Sequence, residues 1–151
     1  MRQLLIATAI ATLPFAATAQ DDDTIKDVIN AREGYMELLS VDMSTLAGMA
    51  KGDIPYNADA ARRAGMNIEA LSQYDFPGLF IAGSAPGDGA DTDALPAIWE
   101  DSQAFAQKYA SLQEAAAGAG ESVAGGQDSI GPVVQKLGGT CKACHDDFRK
   151  K

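Results

Sequence analysis

The chain has 151 residues, of which 21 are acidic and 12 are basic, so its formal net charge at pH 7 is −9. This charge disfavours nucleic acid and anionic membrane surfaces as partners, and it permits docking to a basic patch on another protein. A chain of this length is expected to form one small domain.

Residues 1–19 are predicted to be a signal peptide that is removed from the mature protein. Arg2 supplies a short positive region, and the apolar stretch from Leu4 to Ala17 is shorter than the roughly 20 residues that cross a membrane. Ala17-Thr18-Ala19 fits the small-residue pattern of a cleavage site. An uncleaved anchor helix is the alternative, and Pro14 near the end of the apolar stretch argues against it.

The mature chain, residues 20–151, is therefore predicted to be exported, and the bacterial periplasm is the expected compartment. Cleavage removes a single charged residue, Arg2, so the net charge of the mature chain falls to −10. No stable membrane insertion is expected once the signal peptide has been removed.

A long first helix is predicted from about Asp23 to Ala50. Its buried face should repeat every three or four residues. That face comprises Ile25, Val28, Ile29, Arg32, Met36, Leu39, Met43, Leu46 and Ala50. Asp23 or Thr24 can cap the start of the helix, and Gly52 followed by Pro55 ends it.

A second helix is predicted to begin at Asn57 or Asp59 and to stop near residues 74–77. Small residues on its buried face, among them Ala61 and Gly65, would permit close approach of another helix. These are followed by Ile68 and Leu71, so the same face carries larger apolar side chains further along.

An irregular segment is predicted from about Phe76 to Pro96, because its glycines, prolines and aspartates do not support a regular element. The apolar residues 79–81 are expected to hold this loop against the rest of the domain. The acidic, glycine-rich part of the loop, residues 81–93, is interpreted as a solvated loop.

Two more helices are predicted in the C-terminal third. The third runs from about Asp101 to Ala117, and a flexible connection over residues 118–126 follows it. Gly131-Pro132 is expected to start the fourth helix, since proline suits a first helical position. Gly138 and Gly139 lie within it, and they either leave room for a bound group or kink the helix.

Four amphipathic helices and no stretch with the alternation of a strand predict an all-α fold. Because the connections between successive helices are mostly short, an antiparallel four-helix bundle is the expected architecture.

The only histidine and the only two cysteines of the chain lie together, as Cys141, Cys144 and His145. C-x-x-C-H is the attachment sequence for a c-type haem. Two thiols at this spacing can form thioethers to one porphyrin edge, and the imidazole can reach the iron as its proximal ligand. A dithiol redox pair is the alternative, and a zinc site is disfavoured because it needs about four ligands. The sequence thus predicts one covalently bound haem c, with its iron, near the C-terminal helix.

The motif lies six residues from the C-terminus, on the last predicted helix. This position resembles the class II cytochromes c, the cytochrome c prime family, and the resemblance covers essentially the whole mature chain. Gly138 to Arg149 is similar to the family's haem segment. Lys51 to Tyr56 matches its K-G-x-x-P-Y turn, and Pro96 to Trp99 matches its P-x-I-W motif. Arg32 and Met36 match the first-helix pair that faces the haem.

The resemblance implies a role for each residue of the motif. Cys141 and Cys144 would hold the haem by thioethers, and His145 would be the proximal iron ligand. Met36 would occupy the distal side of the iron.

Three charged residues are further expected haem contacts. By the resemblance, Arg32 would lie near a haem propionate and Arg149 near the haem edge. Glu33 stands where relatives often carry glutamine, and a carboxylate there would repel a propionate.

The identity of the sixth ligand separates two function hypotheses. In the low-spin branch of the family a methionine at the position of Met36 ligates the iron, which suits electron transfer by Fe(III)/Fe(II) cycling. In the five-coordinate branch the distal side binds nitric oxide or carbon monoxide. Met36 permits both interpretations, and electron transfer is the function predicted first, with gas binding as the alternative.

The expected partners are redox proteins, a diatomic gas under the alternative hypothesis, and a second copy of the chain that the first two helices would contact. The protein is not expected to be an enzyme. Peroxide cleavage needs a distal acid–base group, usually a histidine, and His145 is already assigned to the iron.

Overall fold

The computed structural model describes residues 22–151, and the predicted signal peptide, residues 1–19, lies outside this range. Four long helices dominate it. One short helix precedes the third long helix, and another follows it. In chain order the helices are α1 (Asp22–Lys51), α2 (Ala58–Ser72), α3 (Ala97–Glu100), α4 (Ser102–Ala116), α5 (Ala119–Val123) and α6 (Gln127–Phe148). None of the helices in residues 22–151 is both long and apolar enough to cross a membrane.

The second and third long helices are capped by the residues at their predicted starts, Asn57 and Asp101. Helix α1 begins at Asp22, so the predicted caps Asp23 and Thr24 lie within its first turn instead. Acidic side chains occupy the first turn of α1, where they favour the positive end of the helix dipole. The side chain of Asn57 accepts a hydrogen bond from the backbone N–H of Ala60, and Asp101 does the same for Ala104, at 2.8 and 2.9 Å. Each bond satisfies a backbone donor that the first turn of a helix leaves without a partner.

The long helices pack as the predicted four-helix bundle, with α1 against α2 and α6, and α4 against α6. Large apolar side chains with essentially no solvent exposure form its core: Leu46, Ile68, Ile130 and Leu137. Burying one such side chain stabilises the fold by about 1.5–3 kcal/mol. The all-α, four-helix-bundle prediction is confirmed.

The predicted flexible connection over residues 118–126 is wrong, because part of it forms α5 and packs on α2. Val123 is fully buried, and Gly118 has the positive φ of +70° that starts the short helix. A Cβ on Gly65 of α2 would lie 2.7 Å from the Cα of Gly120 in α5. The glycines in this connection therefore permit close helix packing rather than flexibility.

The predicted start of the fourth helix at Gly131-Pro132 is also wrong, since α6 begins at Gln127 and contains Pro132. Long-range hydrogen bonds hold its first residues. The Gln127 side chain donates to the carbonyl oxygen of Met49 at 3.1 Å. The Tyr56 hydroxyl accepts from the N–H of Gly126 and donates to the carbonyl of Val123.

The loop from Phe76 to Pro96 contains two 3-10 turns, Pro77–Leu79 and Pro86–Asp88, and otherwise remains irregular, as predicted. Phe76 is buried, and residues 79–81 are half-buried with Leu79 and Phe80 packed against the core. This confirms that the apolar part of the loop faces the bundle.

Two of the glycines within helices, Gly65 and Gly34, should have opposite effects on stability when each is substituted by alanine. Gly65→Ala forces a methyl group against the backbone of Gly120, so it should destabilise the fold by about 1–3 kcal/mol. Gly34→Ala in α1 meets nothing within 4 Å and should stabilise by about 0.5–1 kcal/mol. Urea unfolding of both variants measures the difference. Equal midpoints would contradict the close approach of α2 and α5.

Candidate functional site

A cavity of about 660 Å³ opens between α1, α4, α6 and the loop that precedes α3. Its volume lies within the range of roughly 300–1,000 Å³ that is typical of ligand sites. Every residue that the sequence analysis assigned to the site lines this cavity: Arg32, Glu33, Met36, Cys141, Cys144, His145 and Arg149. The structure therefore brings together residues that lie more than a hundred positions apart.

Helix α6 supplies both thiols and the imidazole. Cys141, Cys144 and His145 occupy positions i, i+3 and i+4 of one helix, a spacing that puts side chains on the same face. All three are half-buried, and the cysteines are not joined in a disulfide. Among residues 22–151 no cluster of three or more potential metal-binding side chains is found.

The protonation state of the histidine at this face suits metal ligation. Burial raises the pKa of both cysteines, so they are neutral thiols at pH 7. Burial lowers the pKa of His145, and the charge of Arg149 lowers it further. A neutral imidazole has a free nitrogen lone pair, which is the form that binds a metal.

The C-terminal end of α6 is fixed to the loop that precedes α3. The N–H of Leu95 donates to the carbonyl of Phe148 at 2.9 Å, and the N–H of Lys150 donates to the carbonyl of Asp93 at 2.8 Å. These bonds flank an isolated antiparallel bridge between Ala94 and Arg149. The pairing holds the residues that follow His145 and keeps Arg149 at the edge of the cavity.

An ion pair connects α6 to α4 beside the cysteines. The ammonium group of Lys108 lies 2.9 Å from a carboxylate oxygen of Asp147, and Lys142 pairs with Asp146 one turn further along α6. Both acidic residues of this segment thus have a cationic partner. Arg149 and Arg32, by contrast, line the cavity and form no ion pair within residues 22–151.

Helix α1 forms another wall of the cavity. Met36 is half-buried there, and Leu39 and Met43 extend the apolar surface along the same helix. Glu33 is exposed and lies at the rim. Arg32 is buried, with 5% of its surface exposed.

The guanidinium of Arg32 is bonded to the loop rather than to another charged group. Its Nε and Nη2 donate to the carbonyl of Leu79 at 3.0 and 2.7 Å, and its Nη1 donates to the carbonyl of Ser84 at 3.4 Å. Nη2 also donates to the Ser84 hydroxyl. Burial lowers the pKa of Arg32 to about 10, so it remains charged at neutral pH. No spacing in the sequence indicates these partners, since they lie about fifty residues away.

Aromatic rings cover much of the remaining wall. Phe105 and Tyr109 come from α4 and Phe76 and Phe80 from the loop, and none of these four was predicted as a site residue. The Tyr109 hydroxyl lies 2.9 Å from that of Tyr35 and donates to the carbonyl of Tyr74 at 2.7 Å. With its hydroxyl satisfied in this way, Tyr109 presents an apolar ring to the cavity.

Helix α6 continues without a break through Gly138 and Gly139. A Cβ at either glycine would meet nothing within 4 Å, and Gly138 lines the cavity. Two thiols, an imidazole, apolar walls and Arg149, an arginine without a carboxylate partner, fit a haem with its propionates. Gly138 agrees with the interpretation that a glycine leaves room for the haem, whereas Gly139 is exposed and does not line the cavity.

The chain is similar to known proteins in both sequence and structure. The family model described as Cytochrome C' matches residues 27–149. The cytochrome c' of Cereibacter sphaeroides is 41% identical over 151 residues, a match that covers 100% of this chain and 99% of that protein.

Solved structures show the same similarity. That of cytochrome c' from Rhodobacter Spheriodes is 39% identical, with a TM-score of 0.80, and the match covers 84% of this chain and 98% of that chain. A nitric oxide complex of a mutant of cytochrome c prime from Alcaligenes xylosoxidans is 28% identical, with a TM-score of 0.71, and the match covers 84% and 97%.

Alanine substitutions at Gly138 and Gly139 should distinguish an effect on the space for the haem from an effect on the stability of the helix. Each substitution favours the helix by about 1 kcal/mol. Gly138→Ala adds a methyl group at the cavity wall beside Cys141, so we expect less haem per chain. Gly139 is exposed, so Gly139→Ala should raise the melting temperature and leave the haem content unchanged. Equal haem-to-protein absorbance ratios in the two variants would contradict this interpretation.

Proposed function

The chain belongs to the cytochrome c' family, and we propose on this basis that it binds a neutral diatomic gas, nitric oxide or carbon monoxide, at the distal side of its haem. As a member of the family it carries one covalent c-type haem, attached through Cys141 and Cys144. His145, directly after the second cysteine, is proposed as the proximal iron ligand.

When bound, the haem supplies an iron that changes between Fe(III) and Fe(II) and that accepts axial ligands. The residues around it hold and shield this group. The apolar rings of Phe76, Phe105 and Tyr109 would exclude water from the haem, and Arg149 is the cation available to a propionate. Arg32 already bonds the loop and has at most one N–H group left for a propionate. Met36, on the α1 wall, is the residue proposed for the distal side.

The apolar character of the cavity carries the proposal of gas binding. Met36, Leu39 and Met43 offer carbon and thioether atoms, and the one fully charged side chain buried in this wall, Arg32, already has hydrogen-bond partners. Such a wall favours a small uncharged ligand over an anion, which would lose its hydration without compensation. A structural neighbour with nitric oxide bound, a mutant of a related cytochrome c prime, supports the same function.

Electron transfer is the second candidate, and Met36 favours it. The thioether of a methionine is a natural sixth ligand for haem iron and raises the reduction potential. If Met36 ligates the iron, no coordination position remains for a gas, and the protein would exchange single electrons with a redox partner. The same chain could then cycle between Fe(III) and Fe(II) without a change of ligand.

The visible spectrum of the purified protein distinguishes the two functions. Under the gas-binding proposal both oxidation states are high-spin, and carbon monoxide shifts the spectrum of the reduced protein. Met36→Ala should then leave the spin state unchanged and speed carbon monoxide association by about tenfold, a factor that corresponds to ~1.4 kcal/mol. Met36→Leu, of similar volume, is the matched control and should behave like the wild type.

A different outcome would establish electron transfer instead. A low-spin wild type that does not respond to carbon monoxide, combined with high-spin, gas-binding Met36→Ala and Met36→Leu variants, would show that the thioether ligates the iron. That result would overturn the gas-binding proposal.

Surface charge and exposed apolar residues support two kinds of protein partner. The acidic mature chain is suited to a redox protein with a basic patch. On α1 the large apolar side chains Leu38 and Val41 are 56% and 65% exposed, which supports the proposal of a homodimer that uses the first helices. Both partners remain proposals.

Export to the periplasm is proposed from the N-terminal sequence. Haem attachment to a C-x-x-C-H motif outside the cytoplasm agrees with a cleaved signal peptide of residues 1–19. Mass spectrometry of the protein from a periplasmic fraction should therefore find Gln20 at the N-terminus, with a mass increase of one haem. A protein that retains Met1 in the membrane fraction would contradict the prediction.

A further inference from the structure

Arg32 connects α1 to a distant loop through an unusual number of contacts. Four donor–acceptor contacts join its guanidinium to Leu79 and Ser84, which lie 47 and 52 residues further along the chain. A guanidinium has five N–H groups in a fixed plane, so at most one of them is left for another acceptor. Arg32 and Ser84 are both buried, so loss of the bond between them would leave the Ser84 carbonyl without this donor.

Trp99, on α3, holds the same loop from another side. Its indole N–H donates to the carbonyl of Ile81 at 3.1 Å, and the Ser84 hydroxyl also donates to that carbonyl, at 2.6 Å. The carbonyl groups of Leu79, Ile81 and Ser84 are thus all bonded by side chains. Within residues 22–151, Arg32 and Trp99 are the residues outside the loop that bond this stretch of backbone.

Phe80 lies between the anchored carbonyls of Leu79 and Ile81 and faces the cavity. The guanidinium carbon of Arg32 lies 4.2 Å from the centre of its ring. The rings of Phe105, Phe76 and Trp99 meet it edge-on, with centroids at 4.8, 5.2 and 5.7 Å. The position of Phe80 in the cavity wall therefore depends on the contacts that fix the backbone on either side of it.

We propose that Arg32 and Trp99 form an anchor for residues 79–84 and, by holding Phe80 in the cavity wall, set the rate at which external ligands reach the haem iron. Arg32 and Trp99 are positioning residues in this account, and Phe80 is the group that restricts access. The proposal deepens the proposed function, since it concerns entry of a gas to the same distal side.

The resemblance to the family implies another role for Arg32, a contact with a haem propionate. The two roles make different demands. A propionate contact requires a positive charge, which lysine would preserve, whereas the anchor requires a planar fork that can bond two carbonyl groups at once. Trp99→Phe separates them further, because it removes the bond to Ile81 while it keeps Arg32 itself and an aromatic ring beside both Arg32 and Phe80.

The test compares haem-loaded Trp99→Phe, Arg32→Lys and Arg32→Gln with the wild type, using two measurements. Hydrogen–deuterium exchange of the peptide that contains residues 79–84 reports the anchor, and carbon monoxide association to the reduced protein reports access. Arg62→Gln is the matched control, because Arg62 is a half-exposed arginine paired with Glu121 far from the loop. Each measurement is repeated in the Met36→Ala background.

We expect hydrogen–deuterium exchange of the 79–84 amides to become about tenfold faster in Trp99→Phe and faster still in Arg32→Gln. Arg32→Lys should not restore the slow exchange of the wild type. Carbon monoxide association should rise several-fold in the same order, and Arg62→Gln should match the wild type. Unchanged exchange in Trp99→Phe, or full rescue by Arg32→Lys, would overturn the anchor.

Failure of the gas-binding proposal would be recognised separately. A wild type that binds no carbon monoxide would overturn gas binding while the exchange data still test the anchor. In that case the Met36→Ala background, which frees the distal side, tests access: equal association rates with and without Trp99→Phe would overturn the role of Phe80.

Discussion

The continuity of α6 is the constraint on which the site depends. Cys141, Cys144 and His145 share one face only while the helix is unbroken. The two glycines before them destabilise the helix by about 1 kcal/mol each. Packing supplies the compensation. Leu137 and Phe148 are buried on either side of the motif, and burial of one such side chain contributes about 1.5–3 kcal/mol, enough to offset both glycines. The C-terminal pairing with residues 93–95 then prevents the last turn from fraying.

The elements that the sequence predicted correctly are those determined by local interactions. Asn57 and Asp101 cap α2 and α4 through bonds within three residues, so their effect is visible in a short stretch of sequence. The C-x-x-C-H motif is local in the same sense. Its two cysteines and its histidine lie within five consecutive positions of one helix, and helix geometry alone brings them to one wall of the cavity.

The predictions that failed concern residues whose structure is decided at long range. The glycines of residues 118–126 have the composition of a flexible linker, yet Gly120 packs against the backbone of Gly65 and forms part of a helix. Likewise α6 starts before Gly131-Pro132 because Gln127 and Tyr56 bond groups from other parts of the chain. The placement of Arg32 and Met36 came from the resemblance to a family, since helical periodicity shows only that both residues face inward.

Helix α1 carries both residues on which the proposed control of the distal side depends. Arg32 and Met36 are four residues apart, so they lie on one face of a rigid helix and move together with it. Arg32 holds the loop that carries Phe80, and Met36 is the residue proposed to lie over the iron. A displacement of α1 toward or away from α6 would therefore change the distance of the thioether from the iron and the position of Phe80 at the same time. Under the two proposals, one helix would couple coordination to access, and the buried guanidinium of Arg32 would be the link between them.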